Sequence, residues 1–352
     1  MTRTPERILL VLAAGIGDFV MATPAIRAIR AGFPGAHIAL LTTPQAENLA
    51  RACPHLAEVF SFDLRAYRPG ERGPGWRGWR PFWNLTGDLR ARRIDLAVNL
   101  FQVATFGGAL RMGLLVTRIA AARTAGRWSG GLGVFFGIRG PDRRHGVEAM
   151  LALASALGCP ADDGVPELWI PEASREAAAA RLRDGGLRPN EPFAVLHPGS
   201  NKPEARLPLP KAIEIGRGIQ QGAGVRVLMT GDTDEAPLAE AVCAGIGGGA
   251  QNFAGRTHLL ELAAILENAK VAVTTDSGPM HMAAAVGAPL VALFGPGDPA
   301  RFGPRGRQGQ VVILQGKIRP RDPMGWHADL TAAEAVGAAL RLMDTPSTAA
   351  VV

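Results

Sequence analysis

The chain alternates between short, continuous apolar runs and longer stretches in which apolar residues recur at helical spacing. The first run, Ile8 to Ala13, reads ILLVLA, and similar runs follow at 36–42, 94–100, 193–197, 225–230, 271–275 and 289–294. Such runs are typical of strands buried on both faces of a parallel sheet. Helices are predicted at 20–31, 147–157, 212–220, 235–244, 257–268 (with Thr257 as its N-cap), 279–286 and 332–343. The alternation of strand and helix predicts a doubly wound α/β fold.

An acidic, Pro-containing stretch at 161–172 (ADDGVPELWIPE) separates two such series. We expect two Rossmann-like domains, at 1–165 and 166–331, and a closing helix with a frayed tail at 332–352. A chain of 352 residues is long enough for two domains with separate cores. Ligands of such domains are expected at the carboxyl ends of the strands, in a cleft between the domains.

The composition narrows the class of protein. With 47% hydrophobic and 20% charged residues, the chain is neither disordered, collagen-like nor a coiled coil. Cys53, Cys159 and Cys243 form no CxxC pair, which excludes a disulfide framework and suits a reducing cytoplasm. Neither a secretory signal nor an uninterrupted membrane-spanning segment is apparent, so a cytoplasmic location is expected.

The positive charge is confined to one half of the chain. Residues 1–165 hold 20 Arg against 12 Asp and Glu, a charge of +8, whereas residues 166–352 carry −1. This predicts an anionic partner for the first half, although a solvated, Arg-rich surface is the alternative. Because the basic residues are spread out and no recognition module is visible, nucleic acid is not the expected partner.

The segment at 67–83 (YRPGERGPGWRGWRPFW) is predicted to be a long loop because it is rich in Pro, Gly, Arg and Trp. It would contact a membrane interface or an anionic substrate, or it is a surface insertion with its Trp rings packed down. The residues slightly favour the packed insertion.

The first candidate site follows the first strand. Gly15 and Gly17 would let a ligand approach the backbone, and Asp18 follows them at the start of a helix. The third glycine of a dinucleotide fingerprint is replaced by Val20. Asp18 is either a general base for a hydroxyl group or the cap of a helix that begins near Phe19. On the motif alone, capping is the better interpretation.

The second candidate site runs from Asp276 to His281 and links a strand to a helix. Ser277 suits the N-cap, Gly278 keeps the backbone accessible and Pro279 suits the first helical turn. The free N–H groups up to Met280 and the positive helix end predict a site for a diphosphate, flanked by Asp276 and His281. A second cap and a buried core histidine are the structural alternatives for these two side chains.

Two further turns follow strands. The turn at 197–202 (HPGSNK) places Lys202 beside small residues, an arrangement that suits phosphate oxygens. The turn at 294–299 (FGPGDP) is interpreted as a rigid wall of the cleft or as an ordinary connector. None of the seven His residues pairs with another at ligand spacing, so no metal site and no cofactor are predicted. A serine nucleophile of the GxSxG type is also absent from the sequence.

These four sites, in this order, resemble glycosyltransferase family 9, the lipopolysaccharide heptosyltransferases. The resemblance rests on AAGIGD at 13–18, VLHPGS at 195–200, and the stretch from NFAGRTHLLEL at 252 to FGPGDP at 299. It implies a GT-B architecture of two Rossmann-like domains, an N-terminal one for the acceptor and a C-terminal one for a nucleotide-sugar, typically ADP-heptose. It also implies inverting, metal-independent transfer to an anionic glycolipid or glycan, with peripheral contact at the inner membrane as a further hypothesis.

The resemblance also assigns roles to residues. It makes Asp18 the general base, with Gly15 and Gly17 on the acceptor side, and it places the diphosphate on Ser277 to Met280 beside Asp276 and His281. Asp234 or Glu235 would contact the nucleotide ribose. In one departure, Leu207 stands where the family has Trp, and either Lys202 or Arg206 would be the phosphate cation, with Lys202 favoured.

Two rival functions share this sequence pattern. One is a nucleotide-sugar epimerase of the same architecture, which would need further acid and base residues that we cannot assign. The other is a non-catalytic nucleotide- or carbohydrate-binding protein, which Asp18 and the anion turn disfavour.

Overall fold

The computed structural model describes residues 4–63, 79–103, 113–115, 117–119, 121, 123–128, 144–317 and 325–345, and only the backbone of 101–103, 127 and 128. The chain divides into two compact units, Met1–Gly164 and Val165–Val352. Each unit contains one parallel sheet, so the predicted doubly wound α/β architecture is confirmed. Within the described ranges, no helix combines the length and the apolar character needed to cross a membrane.

Unit 1 contains a five-stranded parallel sheet in the order β3-β2-β1-β4-β5. Its strands are β1 Arg7–Leu12, β2 His37–Thr42, β3 Glu58–Ser61, β4 Leu96–Val103 and β5 Arg123–Trp128. Its helices are α1 Ile16–Gly32, α2 Glu47–Arg51, α3 Arg80–Ala91 and α4 Gly146–Ala156. The core strand β1 is buried from Ile8 onward, as its apolar run predicts.

Unit 2 contains a six-stranded parallel sheet in the order β11-β10-β9-β6-β7-β8. Its strands are β6 Phe193–His197, β7 Arg226–Met229, β8 Gln251–Asn252, β9 Val271–Thr275, β10 Leu290–Phe294 and β11 Val311–Gln315. Its helices are α5 Glu172–Asp184, α6 Leu209–Ala223, α7 Ala236–Ile246, α8 Leu259–Asn268, α9 Gly278–Ala285, α10 Pro299–Phe302, α11 Trp326–Asp329 and α12 Ala332–Asp344. This strand order is that of a dinucleotide-binding Rossmann sheet.

Helix α1 shows how the sequence tolerates a proline inside a helix. Pro24 lies in the helix interior and has no N–H to donate to the carbonyl group of Val20. The hydroxyl group of Thr23 donates to that carbonyl at 2.8 Å instead. The helix therefore continues through the proline, as predicted, with its apolar face buried.

Three local predictions are wrong in detail. Helix α1 begins at Ile16, not near Phe19, because Gly15 is extended and serves as its N-cap. The N-cap of α8 is His258 rather than Thr257, and the backbone N–H of His258 donates to the Glu261 carboxylate at 3.0 Å. Residues 80–83 belong to helix α3 rather than to a loop.

The aromatic residues around α3 lie partly on the protein and partly in solvent. Trp79 packs edge-on against Phe82, with ring centroids 5.5 Å apart, whereas Trp83 is 41% exposed. Trp83 also packs edge-on against Phe82, with ring centroids 5.2 Å apart, so the packed-down interpretation holds for Trp79 and in part for Trp83. The rest of that segment, 67–78, and the tail beyond Thr345 lie outside the described residues.

Candidate functional site

The main candidate site lies in unit 2, where strands β6 and β9 are neighbours in the middle of the sheet. The chain proceeds outward from β6 to β7 and β8 on one side, and from β9 to β10 and β11 on the other. Parallel sheets bind ligands beyond the carboxyl ends of the strands at such a switch point. Because His197 pairs with Thr274, the turns that follow β6 and β9 lie side by side.

Hydrogen bonds join these two turns directly. The hydroxyl group of Thr275 donates to the carbonyl oxygen of Gly199, and that of Ser200 donates to the carbonyl oxygen of Asp276 at 3.0 Å. Ser200 Oγ also accepts the backbone N–H of Lys202 at 3.3 Å. The HPGSNK turn and the Asp276–His281 segment are therefore one structural unit, although 76 residues separate them.

Lys202 and Asp276 face each other across the joined turns. Lys202 Nζ lies 3.6 Å from Asp276 Oδ2, and the Lys202 side chain is 61% exposed whereas that of Asp276 is 11% exposed. Burial raises the pKa of Asp276, and the nearby ammonium group of Lys202 opposes this shift without cancelling it. The arrangement holds an amine with free donor capacity beside the turn, as anion binding requires.

A third turn closes on the same carboxylate. A Cβ placed on Gly297 would come within 2.5 Å of Asp276 Oδ2, so this glycine leaves room for the side chain. Gly297 belongs to the FGPGDP turn after β10, which pairs with β9. The three turns predicted from the sequence thus converge at the carboxyl edge of this sheet.

Helix α9 begins at the centre of this edge. Ser277 is its N-cap in extended conformation, and Pro279 lies within its first two residues. The Ser277 hydroxyl group donates backward to the Thr275 carbonyl at 3.1 Å and makes no capping hydrogen bond. The first N–H groups of α9, including that of Gly278, are therefore not taken up by that side chain, as an anion site requires.

The last two residues of the motif face inward. Met280 is fully buried, and His281 is 6% exposed and has a partner within the protein. The structure therefore agrees with the interpretation of His281 as a satisfied, buried histidine. A role in supporting the donor site remains a prediction.

Glu235 reaches the site from the loop after β7. Its carboxylate accepts the backbone N–H of Asp232 at 3.0 Å and lies directly over Gly199, where a Cβ would overlap it. Gly231 makes room for the same side chain, since a Cβ there would lie 2.9 Å from its Oε2. The structure thus places the predicted ribose ligand Glu235 next to the predicted phosphate turn.

His197, at the end of β6, is buried beneath this carboxylate-rich corner. Its Nδ1 lies 3.0 Å from the carbonyl oxygen of Thr230, which only accepts, so Nδ1 carries a proton. Burial lowers the pKa of His197, against the opposing influence of Glu235 and Asp232. The folded protein therefore favours a neutral imidazole at this position.

The two candidate phosphate cations differ in their contacts. Arg206 donates its Nε to the carbonyl oxygen of Ser200 at 2.8 Å, so one of its donors serves the loop itself. Lys202 faces Asp276 instead. Leu207, the departure from the family pattern, is buried in the core of unit 2, where its backbone N–H donates to Pro198.

The candidate residues of unit 1 lie where β1 enters α1. Asp18 is the third residue of α1, half-buried, and its carboxylate accepts the backbone N–H of Gly15 at 3.2 Å. Asp18 has a further partner within the protein. The carboxylate thus caps α1 from within its first turn. The same position is compatible with the alternative role of a general base for a hydroxyl group.

The turn around Asp18 is fixed by the neighbouring strand. The hydroxyl group of Thr43, after β2, donates to the Ala14 carbonyl at 2.7 Å, and that of Thr42 donates to Leu12 at 3.2 Å. Asn99 on β4 pairs with Val11 across the switch point of this sheet and is 4% exposed. Asn99 was not among the candidate residues predicted from the sequence. The only indication in the sequence is that it is a polar residue inside an apolar run.

The structure adds one contact that the motifs do not indicate. Trp326 is fully buried and donates its indole N–H to the carbonyl oxygen of Glu204, 122 residues earlier in the chain and in the loop that carries Lys202. Among the described residues, no three His, Cys, Asp or Glu side chains form a group that could hold a metal ion.

The chain is similar to known proteins in sequence and in fold. The family model for glycosyltransferase family 9 (heptosyltransferase) matches residues 84–322. Lipopolysaccharide heptosyltransferase 2 of Salmonella typhimurium is 26% identical over 344 residues, covering 92% of this chain and 94% of the relative.

Solved structures share the fold. A family 9 glycosyltransferase from Veillonella parvula superposes with a TM-score of 0.81 at 20% identity, covering 96% of this chain and 97% of that one. The E. coli heptosyltransferase WaaC with ADP-2-deoxy-2-fluoro heptose gives a TM-score of 0.72 at 19% identity, covering 95% and 99%.

Proposed function

The chain belongs to glycosyltransferase family 9, and from this we propose that it transfers a heptose from ADP-heptose to the core of lipopolysaccharide. The observation that carries the proposal is the convergence of three turns at the carboxyl edge of the second sheet. The names of the Salmonella relative and of the E. coli structure, which carries an ADP-heptose analogue, support the choice of donor and acceptor.

The donor belongs to unit 2 in this proposal. The first N–H groups of α9 and the ammonium group of Lys202 bind the diphosphate, because both present positive charge at the same edge. Glu235 accepts a hydrogen bond from the ribose, next to the phosphate turn. Asp276 holds Lys202 in place, and His281 supports the start of α9 from the core.

Asp18 is the general base. It removes the proton from an acceptor hydroxyl group while that oxygen attacks the anomeric carbon on the face opposite the diphosphate. The bond from the anomeric carbon to the diphosphate oxygen breaks, ADP leaves, and the configuration inverts. Lys202 and α9 stabilise the negative charge that grows on the leaving group, so the proposed reaction needs no metal ion.

The acceptor belongs to unit 1, with Gly15 and Gly17 leaving space beside Asp18. The formal charge of +8 over residues 1–165 suits a phosphorylated glycolipid or another anionic glycan. We further propose peripheral contact with the cytoplasmic face of the inner membrane, because the exposed Trp83 ring lies 4.9 Å beneath the guanidinium group of Arg118. Failure to bind anionic vesicles at low salt would contradict this contact.

The proposed activity is tested by following ADP release from ADP-heptose with and without a lipopolysaccharide acceptor lacking heptose. We expect rapid release only when the acceptor is present, with a new heptosyl product. An epimerase would isomerise the sugar without an acceptor. A binding protein would neither transfer nor isomerise the sugar. If UDP or GDP but not ADP raises the melting temperature, the donor carries a nucleotide other than ADP.

Asp18→Asn tests the assignment of the base. Asparagine can still accept the Gly15 N–H, so we expect the melting temperature and ADP affinity to stay close to wild type. Transfer should fall by about 10²–10⁴-fold, the typical contribution of a positioned base. Asp184→Asn, at an exposed carboxylate at the end of α5, is the matched control and should transfer normally.

A further inference from the structure

Trp326 is packed tightly between two glycines of unit 2. Its side chain is fully buried in α11, and a Cβ on Gly295 would approach three of its ring atoms to 2.5 Å. A Cβ on Gly316 would overlap its carbonyl oxygen. Gly295 starts the turn after β10 and Gly316 follows β11, so the indole ring lies against the end of β10 and the backbone of Trp326 lies against the end of β11.

The polar edge of the indole holds the loop that carries both candidate phosphate cations. Nε1 donates to the carbonyl oxygen of Glu204 at 2.8 Å. Glu204 lies in the short turn Pro203–Ala205, between Lys202 and Arg206. The backbone of Ala205 donates to the Lys202 carbonyl at 2.9 Å, so the restraint on Glu204 reaches the backbone of Lys202 through one hydrogen bond.

Helix α11 is itself anchored and therefore forms a fixed point for this contact. Lys211, near the start of α6, donates its Nζ to the carbonyl oxygens of His327 at 2.5 Å and Leu330 at 2.7 Å. Lys211 therefore restrains the backbone directly after Trp326. The segment 325–330 thus ties that loop to the body of the unit.

We infer that Trp326 is a positioning residue for the diphosphate site, acting through the loop that presents Lys202. The inference rests on the proposed function, since it concerns the site assigned to the donor diphosphate. The Lys202 side chain is flexible and 61% exposed, so the position of its ammonium group depends on how firmly its backbone is held. A loose loop would leave the phosphate without a preorganised cation, while contacts to the nucleoside would be unaffected.

Trp326→Phe tests this role because it keeps the ring and removes only the N–H group. We expect faster hydrogen exchange of the backbone amides in residues 200–207, measured without ligand. ADP affinity should fall by about 3- to 10-fold, the range that one lost hydrogen bond produces. Adenosine affinity should not change, because adenosine lacks the diphosphate.

Two further variants separate positioning from general destabilisation. Leu342→Ala, in the same core but on α12, should lower the melting temperature and leave ADP affinity unchanged. Combining Trp326→Phe with Lys202→Ala should weaken ADP binding no more than Lys202→Ala alone, because the tryptophan acts through the lysine. If Trp326→Phe does not fold, Lys211→Met releases α11 from its anchor and should produce the same ADP-specific loss.

Unchanged exchange in residues 200–207, an equal loss for ADP and adenosine, or additive effects with Lys202→Ala would each overturn the inference. A wild-type protein that binds no ADP would overturn the proposed donor, and the inference with it. If the wild-type protein binds ADP and the Trp326→Phe variant binds it with equal affinity, only the role of Trp326 is overturned.

Discussion

The contact between Glu235 and Gly199 makes a sharp prediction, because three side-chain atoms of Glu235 occupy the space that a methyl group would need. Gly199→Ala should push the carboxylate aside, since a Cβ at this position would overlap it. The carboxylate is the end of a flexible side chain, so the backbone need not move. The expected damage is therefore confined to what this carboxylate does.

The structural cost can be estimated from one bond. Displacing the carboxylate removes its hydrogen bond from the Asp232 N–H, at 3.0 Å. Such a bond contributes about 1 kcal/mol net, which lowers the melting temperature by about 2–4 °C in a unit of this size. If the carboxylate also binds the ribose, the loss of a charged hydrogen bond of about 1.5–3 kcal/mol weakens ADP binding by about 10- to 100-fold.

The experiment is a double-mutant cycle with two readouts, calorimetric melting and titration with ADP. Gly199→Ala and Glu235→Ala should each lose ADP affinity, and the double variant should lose no more than Glu235→Ala. Gly87→Ala, where a Cβ meets open space, is the control and should bind ADP normally. Normal ADP binding by Gly199→Ala would refute the role of Glu235, and additive losses would refute the proposed steric route.

Three further predictions concern charge and protonation. Lys202→Ala should weaken ADP binding about tenfold in low-salt calorimetry, and Arg206→Ala should do so less, because Arg206 already serves the Ser200 carbonyl; equal losses would show that the cation is wrongly assigned. Below about pH 6.5 the unfolded chain binds a proton at His197, whereas the folded protein resists it, so the free energy of unfolding should decrease as the pH is lowered from 7.5 to 5. In His197→Gln the difference between the urea midpoints at these two pH values should be smaller than in wild type. An unchanged difference would contradict the prediction. Burial raises the pKa of the Cys243 thiol to about 11. At pH 8 a thiol reagent should therefore label Cys243 far more slowly in the folded protein than in urea. Rapid labelling of Cys243 in the folded protein, detected by peptide mapping, would refute its burial.

The sequence was most informative where local pattern and burial coincide. The central strands β6 and β9 were predicted without error in their bounds, because parallel strands buried on both faces give unbroken apolar runs. Strands β3, β5 and β11 and helix α5 were not predicted. Edge strand β11 is only half-buried, and α5 buries one residue, Ala178, so neither element leaves a strong apolar pattern.

For the candidate site, the sequence determined which turns carry chemistry, since glycines, a proline and charged residues directly after strands are visible in the order of residues alone. It also determined the family, through the order of its motifs. Only the tertiary structure decided which side chains meet: Lys202 with Asp276, Glu235 with Gly199, and Trp326 with Glu204. These contacts depend on the order of strands in the sheet and on partners up to 122 residues apart, and no local periodicity encodes such distances.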